Sequence, residues 1–399
     1  MLTRLVQSYR KGTLLPGIRY RAERVWAKRR HAFIRRRKSR RFEAWLAQLR
    51  SRPPDVLLGA NFAKHGGVRH HLQAIARYSA LRIGLAPSER LMASLAPYDF
   101  QGELRQRFLD FTPAGVRAVH SHVFPWFIEW CRWQRRRGIR WVHTYHTLYF
   151  PQFYQAGLAP WQIEINQALI NEAREADVRI AGARWLQSYL AQRHGISTVY
   201  IPNGVDVAAC DRAVPSHFIR KTGLDRFILY LRCGDDPLKN PQDFVKLAQH
   251  LPSETFVMLG EGLTRDSLQD LRVGEIPQNL QVYRPVAHSD VLDAVAACSV
   301  LVVTSKTEGM PTLVLEGMAL RRPVVVPDVH GCAEAMGDER HGFIYRHENL
   351  NDLAEKTLVA LADRQRGQRA RERVLAEYDW RVVAPKLDAI YRGESRQRD

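Results

Sequence analysis

Short apolar strands alternating with helices in two separate blocks predict an α/β chain of two doubly wound, parallel-sheet (Rossmann-like) domains facing a cleft. Two further observations refine that expectation. Most of the excess positive charge sits in the first 50 residues, which stand apart from the body as a basic N-terminal helical extension. The stretch Val300 to Glu316 (VLVVTSKTEGMPTLVLE) reads as a buried strand, a turn-rich loop and a helix start with Thr312 as N-cap. That combination is the anion-binding corner of α/β sheets, because the first helical N–H groups and the helix dipole both favour negative charge.

Two domains are the natural division of 399 residues, and an apolar fraction of 45% is enough for two cores. Cys131, Cys210, Cys233, Cys298 and Cys332 are scattered without a C-x-x-C pair. This argues against zinc ribbons and disulfide frameworks and for a reducing compartment. No apolar run approaches the ~20 residues of a membrane span, and the first residues lack the apolar segment of a secretory signal.

Residues 1–50 hold 16 Lys/Arg against Glu23 and Glu43, a net +14 of the chain's +19. Arg and Lys are interleaved with Val25, Trp26, Phe33 and Ile34. Phe42, Trp45, Leu46 and Leu49 then recur at i, i+3, i+4, i+7, the stripe of a helix. A basic helix with an aromatic face is the pattern of a segment lying on an anionic membrane surface. The alternative is a charged helix packed onto the body. Nothing later in the chain resembles a nucleic-acid module, so no nucleic-acid partner is expected.

Pro53-Pro54 ends that segment. Val56 to Ala60 reads as a first strand, the loop Asn61 to Gly67 leads into a helix over Val68 to Tyr78, and Leu81 to Leu85 is a second strand. Leu104 to Phe111 has helical character. Val116 to His120 and Ile139 to Thr144 are strands, with the aromatic helix Trp126 to Arg136 between them. Trp161 to Glu175 has helical period, Val178 to Ala181 is a strand, and Ala183 to His194 is a helix. Val199 to Ile201 ends in the turn cluster Pro202-Asn203-Gly204-Val205-Asp206. The alternation then restarts. Strands are expected at Phe227 to Leu231, Thr255 to Leu259, Leu280 to Tyr283, Pro323 to Val326 and Gly342 to Tyr345. Helices are expected at Pro241 to His250, Leu263 to Leu271, Ser289 to Cys298 and from Leu350 onward.

Glu308 and Glu316 flank the anion-binding corner. An ionised carboxylate only accepts hydrogen bonds, so the pair calls for a ligand carrying hydroxyls as well as phosphate. Nucleotide-sugars fit. His120, His122, His143 and His146 lie at strand ends, where H-x-H and H-x-x-H spacings place alternate side chains on opposite faces. No metal site is expected from them, and His120 and His143 are expected as packed or surface residues. Trp126, Trp130 and Trp133 read as core or domain surface, and Arg135-Arg136-Arg137 as a helix C-terminus favoured by its dipole.

From residue 55 to 393, and most strongly from Phe227 on, the chain resembles the retaining glycosyltransferases of family 4, which have the GT-B fold. The residues that carry the resemblance are Glu308 and Glu316 eight positions apart with Gly309 and Pro311 between them, then Ala319 to Pro323 leading to a strand. Pro202 to Asp206, Gly260-Glu261-Gly262, Gly331 to Glu334 and Gly342 to Tyr345 support it. By that resemblance Glu308 contacts the donor sugar, the backbone of Gly309, Met310, Pro311 and Thr312 holds sugar and diphosphate, and Glu316 binds the ribose hydroxyls. Gly66-Gly67 matches the glycine pair of the first loop, beside the donor diphosphate and the acceptor. His122 matches the family histidine facing the reacting centre, and His146 ends a neighbouring strand. The diphosphate-binding cations map to Arg232 and Lys239. They are seven apart where the family spacing is about five, and the usual Gly-Arg order is missing.

The resemblance implies a hexosyltransferase that retains configuration at the anomeric carbon. Its expected donor is a UDP- or GDP-sugar, used as a substrate with no further cofactor, and its expected acceptor is a lipid-linked or lipopolysaccharide-type glycan. No D-x-D motif occurs, so fixed cations and helix N-termini are expected to replace a metal. The expected place is the cytoplasm, peripheral to the inner face of the cytoplasmic membrane. The divisions are residues 1–52 as the basic segment, 53–206 as the acceptor-side domain, 207–380 as the nucleotide-sugar domain, and 381–399 as a C-terminal helix able to cross back to the first domain. Two alternatives stay open: a GT-B binding or scaffold protein without effective turnover, and an enzyme acting on a soluble acceptor.

Overall fold

The computed structural model describes residues 16–59, 67–86, 110–232, 237–260, 263–284, 287–363 and 365–394. Gly66, the rest of the first loop, residues 104–109, 261–262 and the side chain of Arg232 lie outside them.

The first block begins with helix α1 (Pro16–Ser51) and then builds a six-stranded sheet. Its strands are β1 (Val56–Gly59), β2 (Ile83–Leu85), β3 (Ala118–Ser121), β4 (Arg140–Tyr145), β5 (Val178–Ala181) and β6 (Val199–Tyr200). They pair in the order β2-β1-β3-β4-β5-β6, all parallel. The connecting helices are α2 (Gly67–Tyr78), α3 (Pro125–Arg136), α4 (Pro160–Gln167) and α5 (Arg184–His194). Every residue of β1 and β3 is buried, as a parallel sheet covered on both faces requires. The single helix expected over 161–175 is α4 followed by a π-turn at Ala168–Glu172 and a 3-10 turn at Ala173–Glu175. Ala168, Leu169 and Ala173 in that stretch are all buried.

Short helices α6 (Val207–Asp211) and α7 (Pro215–Thr222) lead to the second block. Its strands are β7 (Ile228–Arg232), β8 (Phe256–Gly260), β9 (Leu280–Tyr283), β10 (Val300–Val302), β11 (Val324–Pro327) and β12 (Phe343–Tyr345), parallel in the order β12-β11-β10-β7-β8-β9. Helices α8 (Pro241–His250), α9 (His288–Ala297), α10 (Thr312–Ala319), α11 (His330–Met336), α12 (Leu350–Ala362) and α13 (Gln365–Glu377) complete it. The last helix, α14 (Trp380–Arg392), returns to the first block: Trp380, Val383, Leu387 and Ile390 share a core with Val56, Leu58, Val142 and Ile180. The two crossings of the chain lie side by side, since Val205 and Asp379 form a parallel bridge. Ring atoms of Trp380 would stand 2.7 Å from a Cβ on Gly204, so that turn leaves no room for a side chain.

The apolar stripe of α1 does not face outward, which corrects its reading as a membrane face. Phe42, Leu46 and Leu49 are buried in the body's core, and Trp45 donates from Nε1 to the Leu85 carbonyl at 2.8 Å. Packing on the body takes the apolar area of these side chains out of water and out of reach of a lipid surface. Phe33, one turn beyond the packed section, is 66% exposed among exposed arginines 29, 36 and 37.

Candidate active site

The loop after β10 is tied down from both sides. Thr304 donates from Oγ1 to the carbonyl of Asn240 at 2.7 Å, and the Lys306 N–H donates to the Leu238 carbonyl at 2.8 Å. These bonds place Lys239, at the carboxyl end of β7, beside the loop. Its Nζ lies 2.5 Å from Oε1 of Glu308, which also accepts from Ser305 Oγ at 2.7 Å. Two residues singled out in the sequence are thus an ion pair, and Glu308 Oε1 holds two donors at once.

Gly309 must be glycine. A Cβ there would stand 2.1 Å from the backbone carbonyl oxygen of His146 in the first domain. The neighbouring carbonyls are held by the same domain: Trp185 Nε1 donates to Gly309 O at 2.8 Å and Asn203 Nδ2 to Met310 O at 3.2 Å. From below, Gly331 of α11 comes so near that a Cβ would meet the Glu308 and Gly309 carbonyls at 2.3 Å. Glu334 of the same helix accepts from the N–H groups of Arg184 and Trp185 at 2.7 and 2.9 Å, closing the clamp across the cleft.

Helix α10 starts at Thr312 with Pro311, not Thr312, as its N-cap. Proline has no N–H to lose there and no side-chain acceptor, so no side chain caps this end. Opposite it stands the start of α2: the nearest atom to a Cβ on Gly67 would be Thr312 Oγ1 at 4.0 Å. Two helix N-termini, one from each domain, therefore converge on the same point with Lys239 nearby, a positive field suited to a diphosphate. At its other end α2 is fixed to the interdomain turn, because Asp206 accepts from Tyr78 OH at 2.6 Å and from Arg77 at 2.8 Å.

Glu316, in the second turn of α10, is paired with His288 at the start of α9, Nε2 to Oε1 at 3.0 Å. That hydrogen bond raises the His288 pKa against the opposing effect of burial. The His288 ring lies 4.4 Å from that of His70 on α2.

His120, His122 and His143 are fully buried, and His71 and His146 nearly so. His122 Nδ1 is 2.9 Å from His146 Nε2, with the two rings stacked. His120 is held by Tyr391 OH and Thr144 Oγ1 at 2.7 and 2.8 Å, and His143 by Ser121 Oγ at 2.8 Å. Burial pushes His120 down to about 3 and His146 to about 4, and holds His71, His122 and His143 well below the usual value. All five are neutral at pH 7. The expectation that these histidines diverge onto opposite faces is corrected for His120 and His122, whose rings lie 4.3 Å apart, because positions i and i+2 along a strand point to the same face. His71, His122 and His146 bring one nitrogen each within 4.8 Å of one another, so three neutral imidazoles gather beneath the cleft. Trp130 is core, whereas Trp133 on the same helix is 45% exposed.

Residues 65–209 match the family described as Glycosyltransferase Family 4, and residues 228–363 match Glycosyl transferases group 1. The chain belongs to glycosyltransferase family 4. Its two parallel six-stranded sheets are the GT-B fold. Among family relatives, it is 29% identical over 161 residues (38% of this chain) to the N,N'-diacetylbacillosaminyl-diphospho-undecaprenol alpha-1,3-N-acetylgalactosaminyltransferase of Campylobacter jejuni. It is 28% identical over 166 residues (38% of this chain) to the UDP-Gal:alpha-D-GlcNAc-diphosphoundecaprenol alpha-1,3-galactosyltransferase of Escherichia coli. Each match spans 41% of the relative's length. In fold, 85% of the chain superposes on 99% of Anabaena HepE in complex with UDP and glucose, with a TM-score of 0.66 and 17% identity. The same share superposes on 99% of WaaG, a glycosyltransferase involved in lipopolysaccharide biosynthesis, with a TM-score of 0.63 and 14% identity.

Within this family-4 chain, the sequence singled out Glu308, Lys239, Gly309 to Thr312, Glu316 and Gly67, and the structure brings them to one cleft edge. It did not single out His70, His71, Ser305, Trp185 or His288. His288 follows β9 closely, so the rule that ligands gather at strand carboxyl ends could have found it.

Proposed function

We propose that this family-4 chain is a retaining, metal-independent glycosyltransferase. It moves a hexose-type sugar from a UDP- or GDP-sugar to a lipid-linked or lipopolysaccharide-type glycan acceptor at the inner face of the cytoplasmic membrane. The observation that carries this reading is the convergence of the α2 and α10 N-termini at Gly67 and Thr312, beside the Lys239–Glu308 pair. In this reading the bond from the anomeric carbon to the diphosphate breaks as negative charge grows on the leaving oxygen. Helix N-termini and Lys239 stabilise that charge, a preorganised electrostatic contribution that needs no side-chain base. The acceptor hydroxyl enters on the face the diphosphate leaves and passes its proton to the departing phosphate oxygen. Glu308 positions the sugar, and neutral His122 and His146 line the floor behind the first-domain strands.

The acceptor class follows the activities for which the relatives are named, two of which concern diphospho-undecaprenol-linked sugars. Placement at the membrane follows from the arginine-rich α1. The test is saturation-transfer NMR and thermal shift against UDP-, GDP- and ADP-sugars, followed by turnover of the binder. Binding of one nucleotide-sugar with slow hydrolysis of its sugar supports an enzyme. Binding without any turnover, with or without lipid-linked acceptor, supports the scaffold reading instead.

A further inference from the structure

Glu316 does not reach the cleft as a free carboxylate. Its side chain is 13% exposed and its Oε1 is 3.0 Å from His288 Nε2. A glutamate has three rotatable bonds, and fixing one oxygen by a charge-assisted hydrogen bond sets the direction of the other. His288 is itself braced. Its ring is tilted 32° to that of His70, 4.4 Å away, so the brace comes from α2 of the opposite domain.

We infer that His288 is a positioning residue for the nucleoside pocket: its Nε2–H holds Oε1 of Glu316 so that the carboxylate presents itself to the ribose hydroxyls, with His70 steadying the ring from across the cleft. This rests on the assignment of Glu316 to the ribose. The role is distinct from holding α9 in place, because α9 has its own first-turn bond, from the Ala287 N–H to Asp290 Oδ2 at 3.0 Å.

The two roles separate by ribose discrimination. Calorimetry would compare UDP and GDP with their 2',3'-dideoxy forms on wild type, His288→Leu, His288→Gln, Glu316→Gln and the double variant His288→Leu/Glu316→Gln. Wild type should favour the ribonucleotide it takes by about ten- to a hundredfold, the scale of one or two hydrogen bonds to a charged group. His288→Leu should lose at least fivefold of that preference while binding the dideoxy form as before. His288→Gln, which keeps a donor, should recover most of it. In the Glu316→Gln background, removing His288 should change nothing further. If Glu316→Gln loses discrimination but His288→Leu keeps it, or weakens both ligands equally, the positioning role is overturned alone. If Glu316→Gln keeps full discrimination, the ribose assignment falls and the inference falls with it.

Discussion

Lys239 Nζ lies 2.5 Å from Glu308 Oε1, so the cation expected at the diphosphate and the carboxylate expected at the sugar hold each other at the cleft edge. A donor must therefore compete for Lys239. Lys239→Met should weaken UDP or GDP binding by roughly ten- to a hundredfold, the loss of one charge-assisted bond. The nucleoside monophosphate should lose much less, since it lacks the second phosphate. Calorimetry with both ligands checks this, and equal loss on both would remove Lys239 from the diphosphate site.

The proposed stabilisation of the leaving diphosphate by helix N-termini and Lys239 leaves no such task for a metal. Donor hydrolysis and transfer should continue in excess EDTA at the untreated rate. Abolition by chelator and rescue by magnesium or manganese would contradict it.

Five neutral histidines make the first domain sensitive to acid. Their folded pKa values are lowered, to about 4 for His146 and about 3 for His120, by burial. Unfolding exposes rings that titrate near 6.5, so the unfolded chain binds more protons and stability falls as pH drops below that value. Each histidine contributes up to about 1.4 kcal/mol per pH unit between the two pKa values. The melting temperature should hold from pH 8 to 7 and fall steeply from 6.5 toward 5. His143→Asn should make that fall shallower by one proton's worth; an unchanged slope would mean His143 is charged in the folded state.

Among the described side chains of the basic helix, Phe42, Leu46 and Leu49 are packed and Arg29, Phe33, Arg36 and Arg37 are exposed. Deleting residues 1–37 leaves Phe42, Trp45, Leu46 and Leu49 in place, so the melting temperature should stay within a degree or two. Binding to vesicles containing anionic lipid should collapse, because 12 of the 16 Lys/Arg leave with the deletion. Deleting 1–50 should cost several kcal/mol of stability, since three buried apolar side chains go with it. Sedimentation with vesicles by the 1–37 deletion at the full-length level would exclude residues 1–37 as the anchor.

Much of this was legible in the sequence because parallel strands are short apolar runs with a fixed grammar of loops and helices. Val178–Ala181 and Leu280–Tyr283 emerge with the same bounds, and most other strands shift by a residue or two. Glu308 and Glu316 were visible because a carboxylate pair flanking a glycine-containing loop and a helix start suits a ligand with hydroxyls beside phosphate, and Lys239 was visible through the resemblance to the family. The destination of the α1 stripe was not visible. An apolar face at helical spacing looks the same whether lipid or the strand end at Leu85 covers it. Nor was the histidine cluster, because His71, His122 and His146 come from three elements whose convergence only the sheet order sets. His288 was hidden for the same reason, since its partner Glu316 is 28 residues away on another helix.

The assignment of the two glutamates carries the account, and calorimetry of Glu308→Gln and Glu316→Gln with UDP and GDP, beside their turnover, tests it most directly. Glu316→Gln should weaken the nucleoside diphosphate by roughly ten- to a hundredfold, and the full donor equally. Glu308→Gln should leave the bare nucleotide within about threefold of wild type, or slightly tighter because Lys239 is released. Its loss should fall on turnover, as for a contact that strengthens at the transition state. Equal loss of nucleotide affinity in both variants, or normal turnover in Glu308→Gln, would contradict the account.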